Sequence, residues 1–224
     1  MPTEEQTLSQ SEEEYLESIY KLTRKGRPAR TDDIAMAVGV SPPAASGMMR
    51  RLAARGALRY VPYGGAELTA SGEEQALRVV RRHRLIERLL TDVLKIPWDA
   101  VHDQACRLEH AIMPSVEAKI EEAIGGADTC PHGQPIPTPE GRVEAEDARA
   151  LPEVEPGTRV RITRVTSEAA EFLRYLSCLG LLPRVEILVE AKAPFDGPIM
   201  VRVGDAHYAL GRDVASSIMV SPVA

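Results

Sequence analysis

Residues 31–69 constrain this chain most. The run TDDIAMAV predicts a short helix over 31–38 with Thr31 at its cap, and the following VGVSPPAASGMMRRLAARGAL supplies a glycine turn and then a second start signal. Ser41 stands as an N-cap and Pro42 at the first helical position, where a proline loses no hydrogen bond, so a helix should run from there to Gly56. Two short helices joined by a tight turn form a helix-turn-helix. Residues 57–69, ALRYVPYGGAELT, alternate strand-forming residues about Gly64-Gly65 and predict a hairpin with Tyr63 at the tip of a wing. The formal net charge of the whole chain is -6, yet between Arg24 and Tyr60 eight basic residues stand against two acidic ones. That local excess fits a surface for nucleic acid better than the total charge does.

The remaining chain divides by pattern. Residues 12–24 place Tyr15, Leu16, Ile19, Tyr20 and Leu22 at helical spacing. Ser71 should cap a long amphipathic helix to about Lys95, with further helices over 98–112 and from Pro114 to Gly125-Gly126. Residues 127–150, rich in Pro, Gly and charge, read as a linker containing the unusual segment CPHGQPIP at 130–137. Strands are expected at 159–166, 185–191, 199–204 and 207–210, with a helix over 168–179 capped by Ser167. The resulting fold class is mainly α with β. A winged helix-turn-helix over 1–70 is followed by a helical domain over 71–140, a linker over 141–151 and a small β-barrel-like domain over 152–224. No window of 18 uncharged apolar residues occurs and the N-terminus is acidic and polar, so a soluble, cytoplasmic protein with no membrane partner is expected. Three cysteines argue for free thiols or metal ligands rather than a disulfide framework. Cys178, among Leu173, Leu176 and Leu179, reads as core.

The chemistry lies in HDQACRLEH. On a helix advancing about 100° per residue, His102, Cys106, Glu109 and His110 share one stripe roughly 100° wide, beside an apolar stripe of Val101, Ala105, Leu108 and Ile112. Burying that many polar groups is costly unless something pairs them. His83 and Glu87 at i, i+4 and Glu14 and Glu17 at i, i+3 add further one-sided pairs. Carboxylates, imidazoles and a thiol suit a divalent transition metal. Oxygen and nitrogen donors fit Mn2+ or Fe2+, whereas a structural zinc site gathers more thiolates. A metalloenzyme or a metal-storage protein is the rival reading. The chain has no HExxH, GxSxG or phosphate loop, and neither rival explains a basic winged helix, so no enzyme and no organic cofactor are expected.

RRHRLIERLLTDVL followed by VHDQACRLEH, behind EYLESIYKL and a winged helix, closely resembles the diphtheria toxin repressor family of iron- and manganese-dependent regulators. The likeness spans the chain, and the C-terminal domain resembles the family's SH3-like, FeoA-like module. The resemblance implies two metal sites per subunit. Glu14, Cys106, Glu109 and His110 match a primary activating site, with Glu17 as a further acid. His83, Glu87 and His102 match an ancillary one, to which Glu168 and Glu171 of the SH3-like module would add ligands. Relatives with a matching cysteine and histidine imply that Cys130 and His132 could bind beside Glu87. Glu14, where iron-type members carry methionine, favours Mn2+; Cys106, where manganese-type members lacking the third domain carry glutamate, favours Fe2+. Manganese is the preferred reading.

The resemblance also implies a homodimer on double-stranded operator DNA, with genes of metal uptake as targets. Ser41, Pro42, Pro43, Ala44, Ser46 and Gly47 would enter the major groove, Arg50 and Arg51 would add charge contacts, and Arg27 and Arg30 would reach the backbone.

Overall fold

The structure, a computed structural model, describes residues 8–24, 28–62, 64–144 and 147–223. Lys25, Arg27 and the expected wing tip Tyr63 lie outside the described residues. The described chain forms two compact units. The first is built from the chain up to His83 together with Glu109–Ile112 and Pro137–Arg142; the second holds Arg84–Leu108, Met113–Ile136 and the chain from Val143 onward.

In the first unit, α1 (Gln10–Thr23) opens with a capping box: Ser9 Oγ accepts from the Glu12 N–H while Glu12 reaches back to the Ser9 N–H at 2.9 Å. Its apolar face buries Tyr15, Leu16, Ile19 and Tyr20. α2 (Thr31–Val38) ends at Gly39, whose φ of 74° is the left-handed conformation that turns the chain toward α3. Thr31 is the first helical residue and makes no cap; Arg30 holds that position without a side-chain bond. α3 (Pro42–Ala54) begins as expected, with Ser41 Oγ accepting from the Ala44 N–H at 3.4 Å. β1 (Leu58–Val61) and β2 (Gly65–Leu68) pair antiparallel, Leu58 opposite Leu68.

The long helix α4 (Ala70–Asp92) starts one residue before the expected cap. Thr69 rather than Ser71 serves, accepting from the Gly72 N–H at 3.1 Å while donating to the Gly56 carbonyl at 2.6 Å. The hydroxyl that opens α4 thereby also fixes the end of the loop after α3.

In the second unit, α5 (His102–Leu108) is shorter than the expected helix over 98–112, and residues Glu109–Ala111 continue as a 3-10 turn. α6 (Pro114–Ala123) has proline at its first position, and Gly125 and Gly126 follow with φ of 70° and 68°. A six-stranded antiparallel sheet is ordered β3-β8-β4-β5-β6-β7. Its strands are β3 (Arg149–Ala150), β4 (Arg159–Val165), β5 (Glu186–Lys192), β6 (Ile199–Val203), β7 (Ala206–Leu210) and β8 (Ile218–Pro222). Helices α7 (Ala170–Cys178) and α8 (Arg212–Ser216) complete it. Leu151, Val160, Ile162, Leu173, Leu176 and Val220 lie in one buried core.

Three expectations change here. Cys178 is exposed, because α7 buries Leu173 and Leu176 and position 178 falls on the opposite face. The expected helix over 168–179 begins only at Ala170 with Ala169 at its cap, so Ser167 does not open it and Glu168 stands ahead of it in extended chain. The segment read as linker is in part built structure: Cys130, Pro131, His132 and Gly133 are buried, and the Cys130 N–H donates to the Gln134 carbonyl at 2.9 Å. Gly133, with φ of 82°, sits so close to β4 that a Cβ would lie 2.0 Å from the Thr163 carbonyl oxygen. Only glycine fits there.

Candidate metal centres and DNA-binding surface

The first cluster lies within the first unit. Glu17 on α1, His83 on α4 and Glu109 in the 3-10 turn bring one ligand atom each within 4.8 Å of the others, and all three are buried. His83 Nδ1 and Glu109 share a hydrogen bond of 2.6 Å, and Glu17 also takes the Lys21 ammonium at 3.0 Å. Burial pushes the Glu109 carboxyl up, with the Glu17 charge adding to the rise against the His83 and His110 contributions. His110 extends the cluster: its Nδ1 meets Glu13 at 2.6 Å, and its Nε2 lies 3.2 Å from Glu109 and 3.9 Å from Glu14. Glu14 stands at the rim, accepting from Gln10 at 3.0 Å.

Glu13, which also receives Arg82 at 2.7 Å, was not singled out from sequence. It stands i, i+4 from Glu17, a spacing as one-sided as the i, i+3 pair Glu14 and Glu17, and that signal could have found it.

The second cluster lies within the second unit. Glu87 on α4 is wholly buried, and its Oε1 is 3.4 Å from His102 Nδ1 and 3.3 Å from His132 Nδ1. Glu168 Oε2 lies 3.2 Å from His102 Nδ1, and the Cys130 thiol 3.9 Å from His132 Nδ1. His132 is oriented from its other side by the Trp98 carbonyl at 2.8 Å. Although burial opposes it, the Cys130 and Glu87 partners push His132 up to about 11. Cys106, Glu87 and Glu168 likewise push His102 to about 9 against burial. Burial drives the Cys130 thiol upward, reinforced by the Glu87 charge. Two imidazoles gathered about a buried carboxylate mark a place built for positive charge. Metal bonds of about 2.0–2.3 Å set neighbouring donors roughly 3–3.7 Å apart, the spacing found about Glu87 and His102 at 3.2–3.4 Å, and the donor types of both sets suit a divalent cation.

The helical stripe expected from sequence therefore divides at the 3-10 turn, where the residue step widens from the α value. His102 serves the second cluster and Glu109 and His110 the first. Cys106, half-buried on α5, has its thiol 3.7 Å from His102 Nε2. His83 meets Glu109 rather than standing only with the ancillary set in which the resemblance placed it. Glu171 is exposed on α7 and belongs to neither cluster.

On α3, Ser41, Pro42, Pro43, Ala44, Gly47, Arg50 and Arg51 are exposed, as is Arg30 before α2. Ser46 is half-buried, 3.3 Å from the Tyr60 hydroxyl of the wing. A Cβ on Gly47 would meet nothing within 4 Å, so the protein's own packing does not require glycine there. Arg55 pairs with Glu12 at 2.7 Å. Arg27 lies outside the described residues.

A winged helix followed by clusters of carboxylate, imidazole and thiol groups that could hold a divalent cation fits a metal-dependent DNA-binding transcriptional repressor. The chain belongs to the iron-dependent repressor family typified by the diphtheria toxin repressor. Residues 7–66 match the iron dependent repressor N-terminal DNA binding domain, 69–147 the family's metal binding and dimerisation domain, and 149–222 the FeoA domain. The iron-dependent repressor IdeR of Mycobacterium leprae is 31% identical over 223 residues, covering 94% of this chain and 96% of that protein. Among solved structures, a manganese-dependent transcriptional repressor in complex with manganese is similar at 34% identity. It covers 95% of this chain and 100% of its own, with a TM-score of 0.87. The IdeR of T. acidophilum follows at 30% identity and 0.81, covering 97% of this chain and 100% of its own. The family supports a divalent metal cofactor, operator DNA and a dimer. No helix among the described residues is long and apolar enough to cross a membrane.

Proposed function

We propose that this chain is a manganese-responsive repressor of metal-homeostasis genes, acting in the cytoplasm as a homodimer with two metal clusters per subunit. One observation carries the choice of metal: the donors assembled around Glu109, namely Glu17, His83 and the neighbouring Glu13, Glu14 and His110, are all oxygen or nitrogen. With Glu109, four of these six groups are carboxylates, the donor type that suits Mn2+, and none of the six is a thiolate, which would favour a softer ion. Iron is the second reading, supported by the IdeR relatives and by the Cys106 thiol.

A bound dication would supply the positive charge that lets Glu17, Glu109 and Glu13 stay ionised side by side. The protein's part is to place those carboxylates on α1 and on the turn after α5, so that holding them together fixes α1 against α4. α1 packs within the winged helix, so its placement sets the presentation of α3 to DNA. Metal and DNA then stabilise the same arrangement and must raise each other's affinity.

Glu109→Gln and His83→Ala are expected to leave the chain folded and dimeric while removing metal-dependent operator binding. Titration of DNA binding with Mn2+, and anaerobically with Fe2+, checks both points. Activation at lower free Fe2+ than Mn2+ would transfer the assignment to iron, and a variant that kept the full metal response would remove its residue from the site.

A further inference from the structure

The second unit contains a cavity of about 340 Å3 between the end of α4, the loop carrying Pro131 and the chain from α7 to β5. At about 30 Å3 for each water-sized group, it has room for roughly ten non-hydrogen atoms. Two guanidinium groups line it, Arg88 from α4 and Arg184 from the turn before β5, and among the described residues no carboxylate does. Two like charges at one cavity favour an anion between them. The Arg88 side chain is 15% exposed. Its Nε is buried and, among the described residues, makes no hydrogen bond; the Asp92 carboxylate lies 3.2 Å away but misaligned. Arg184 has a φ of 74°, the left-handed conformation that glycine adopts freely and that strains other residues, so the backbone gives no reason for an arginine there. Ser177 Oγ accepts the Trp98 Nε1–H at 2.6 Å, which leaves its own hydroxyl proton available to an acceptor. Trp98, Leu182 and Pro183 supply an apolar wall.

We propose that this cavity binds a small organic carboxylate with an apolar body of about six carbons. The carboxylate lies on Arg88 and Arg184, and the body lies against Trp98 and Leu182. Guanidinium groups present paired N–H donors that match the two oxygens of a carboxylate, and the Ser177 hydroxyl adds a third kind of donor to the same polar end. An apolar body gains by covering the indole and the leucine, which a bare inorganic anion would leave wet. The cavity also borders the second cluster: Cys130 stands in its wall, and the Trp98 ring lies 5.6 Å from that of His132.

Trp98 is the chain's single tryptophan, so its fluorescence reports on this cavity directly. Full-length protein, kept free of metal by a chelator so that no ion takes up the probe, is titrated with cyclohexanecarboxylate and followed by Trp98 fluorescence and by calorimetry. Because metal is absent throughout, the outcome does not depend on the reading of the two clusters. Saturable binding is expected, weakened at least about tenfold by Arg88→Gln and by Arg184→Gln, each of which removes one charge-assisted contact. Arg184 is exposed, so Arg184→Gln carries the test if Arg88→Gln disturbs α4. The uncharged cyclohexanecarboxamide and the bare anions acetate and phosphate should each bind at least about tenfold more weakly than cyclohexanecarboxylate. Absence of saturable binding overturns the proposal. Equal binding of the carboxamide, which makes the cavity merely apolar, overturns it as well, as does equal binding of acetate or phosphate, which makes it a plain anion site. An affinity unchanged in Arg184→Gln has the same consequence.

Discussion

Glu12 shows how one side chain can join local and tertiary structure. It closes the capping box of α1 and takes Arg55 at 2.7 Å across 43 residues of chain. Burial works to raise its pKa, yet the Ser9 N–H and the Arg55 guanidinium hold it below the usual carboxylate range. A carboxylate depressed by folding contributes stability above its unfolded pKa and loses it as pH falls through the folded value. Glu12→Gln keeps a side chain able to complete the box and removes only the charge. It should cost about 1 kcal/mol at neutral pH, with urea midpoints of variant and wild type converging in acid. A gap that persisted in acid would place the effect in packing instead. Gly47 gives the opposite case. A methyl group there meets nothing, so Gly47→Ala should stabilise α3 by about 0.5–1 kcal/mol while weakening operator binding. Thermal unfolding and DNA titration should then move in opposite directions; unchanged DNA affinity would remove Gly47 from the contact surface.

At the level of elements, the sequence was informative wherever start, stop and periodicity signals coincided. Gly39, Ser41 and Pro42 marked the helix-turn-helix almost to the residue, and the Gly64-Gly65 pair placed the hairpin. It was less informative where long-range contacts decide the outcome. The 3-10 turn at Glu109–Ala111 has no local signature, yet it sends the two halves of one apparent stripe to different clusters. The burial of the CPHG loop depends on Gly133 meeting β4, thirty residues later in the chain, which composition alone read as linker. β8 escaped notice because Ile218–Pro222 has no alternation and no turn signal after it, although it lies between β3 and β4 in the sheet. The helical elements also leave large apolar side chains in water: Val93 and Leu94 beyond α4, Leu108 at the end of α5, and Met113 and Val116 about the start of α6. Such exposure within the dimerisation domain fits burial against a second copy. Leu94→Asp with Met113→Asp should shift the dimer to monomer in sedimentation velocity, by about 100-fold in dissociation constant. An unmoved equilibrium would place the dimer contact elsewhere.

For the whole molecule, the proposed mechanism has DNA at the winged helix and metal at the clusters both favouring the same placement of α1. Glu17 and Glu13 reach from α1 to His83, Arg82, Glu109 and His110, so the acids of this cluster stand on a helix that packs against α2 and β2 of the winged helix. Without a dication, the Glu17 and Glu109 charges repel, which adds to the upward shift that burial imposes on Glu109. A coupling of typical size makes DNA binding about 5–150-fold tighter with metal. The most direct measurement is the affinity of the full-length protein for the promoter of a metal-uptake gene, by fluorescence anisotropy at fixed ionic strength, with Mn2+, with anaerobic Fe2+ and with chelator. Binding at least about tenfold tighter with Mn2+ than with chelator is the predicted result. Equal affinity in all three conditions would contradict the account.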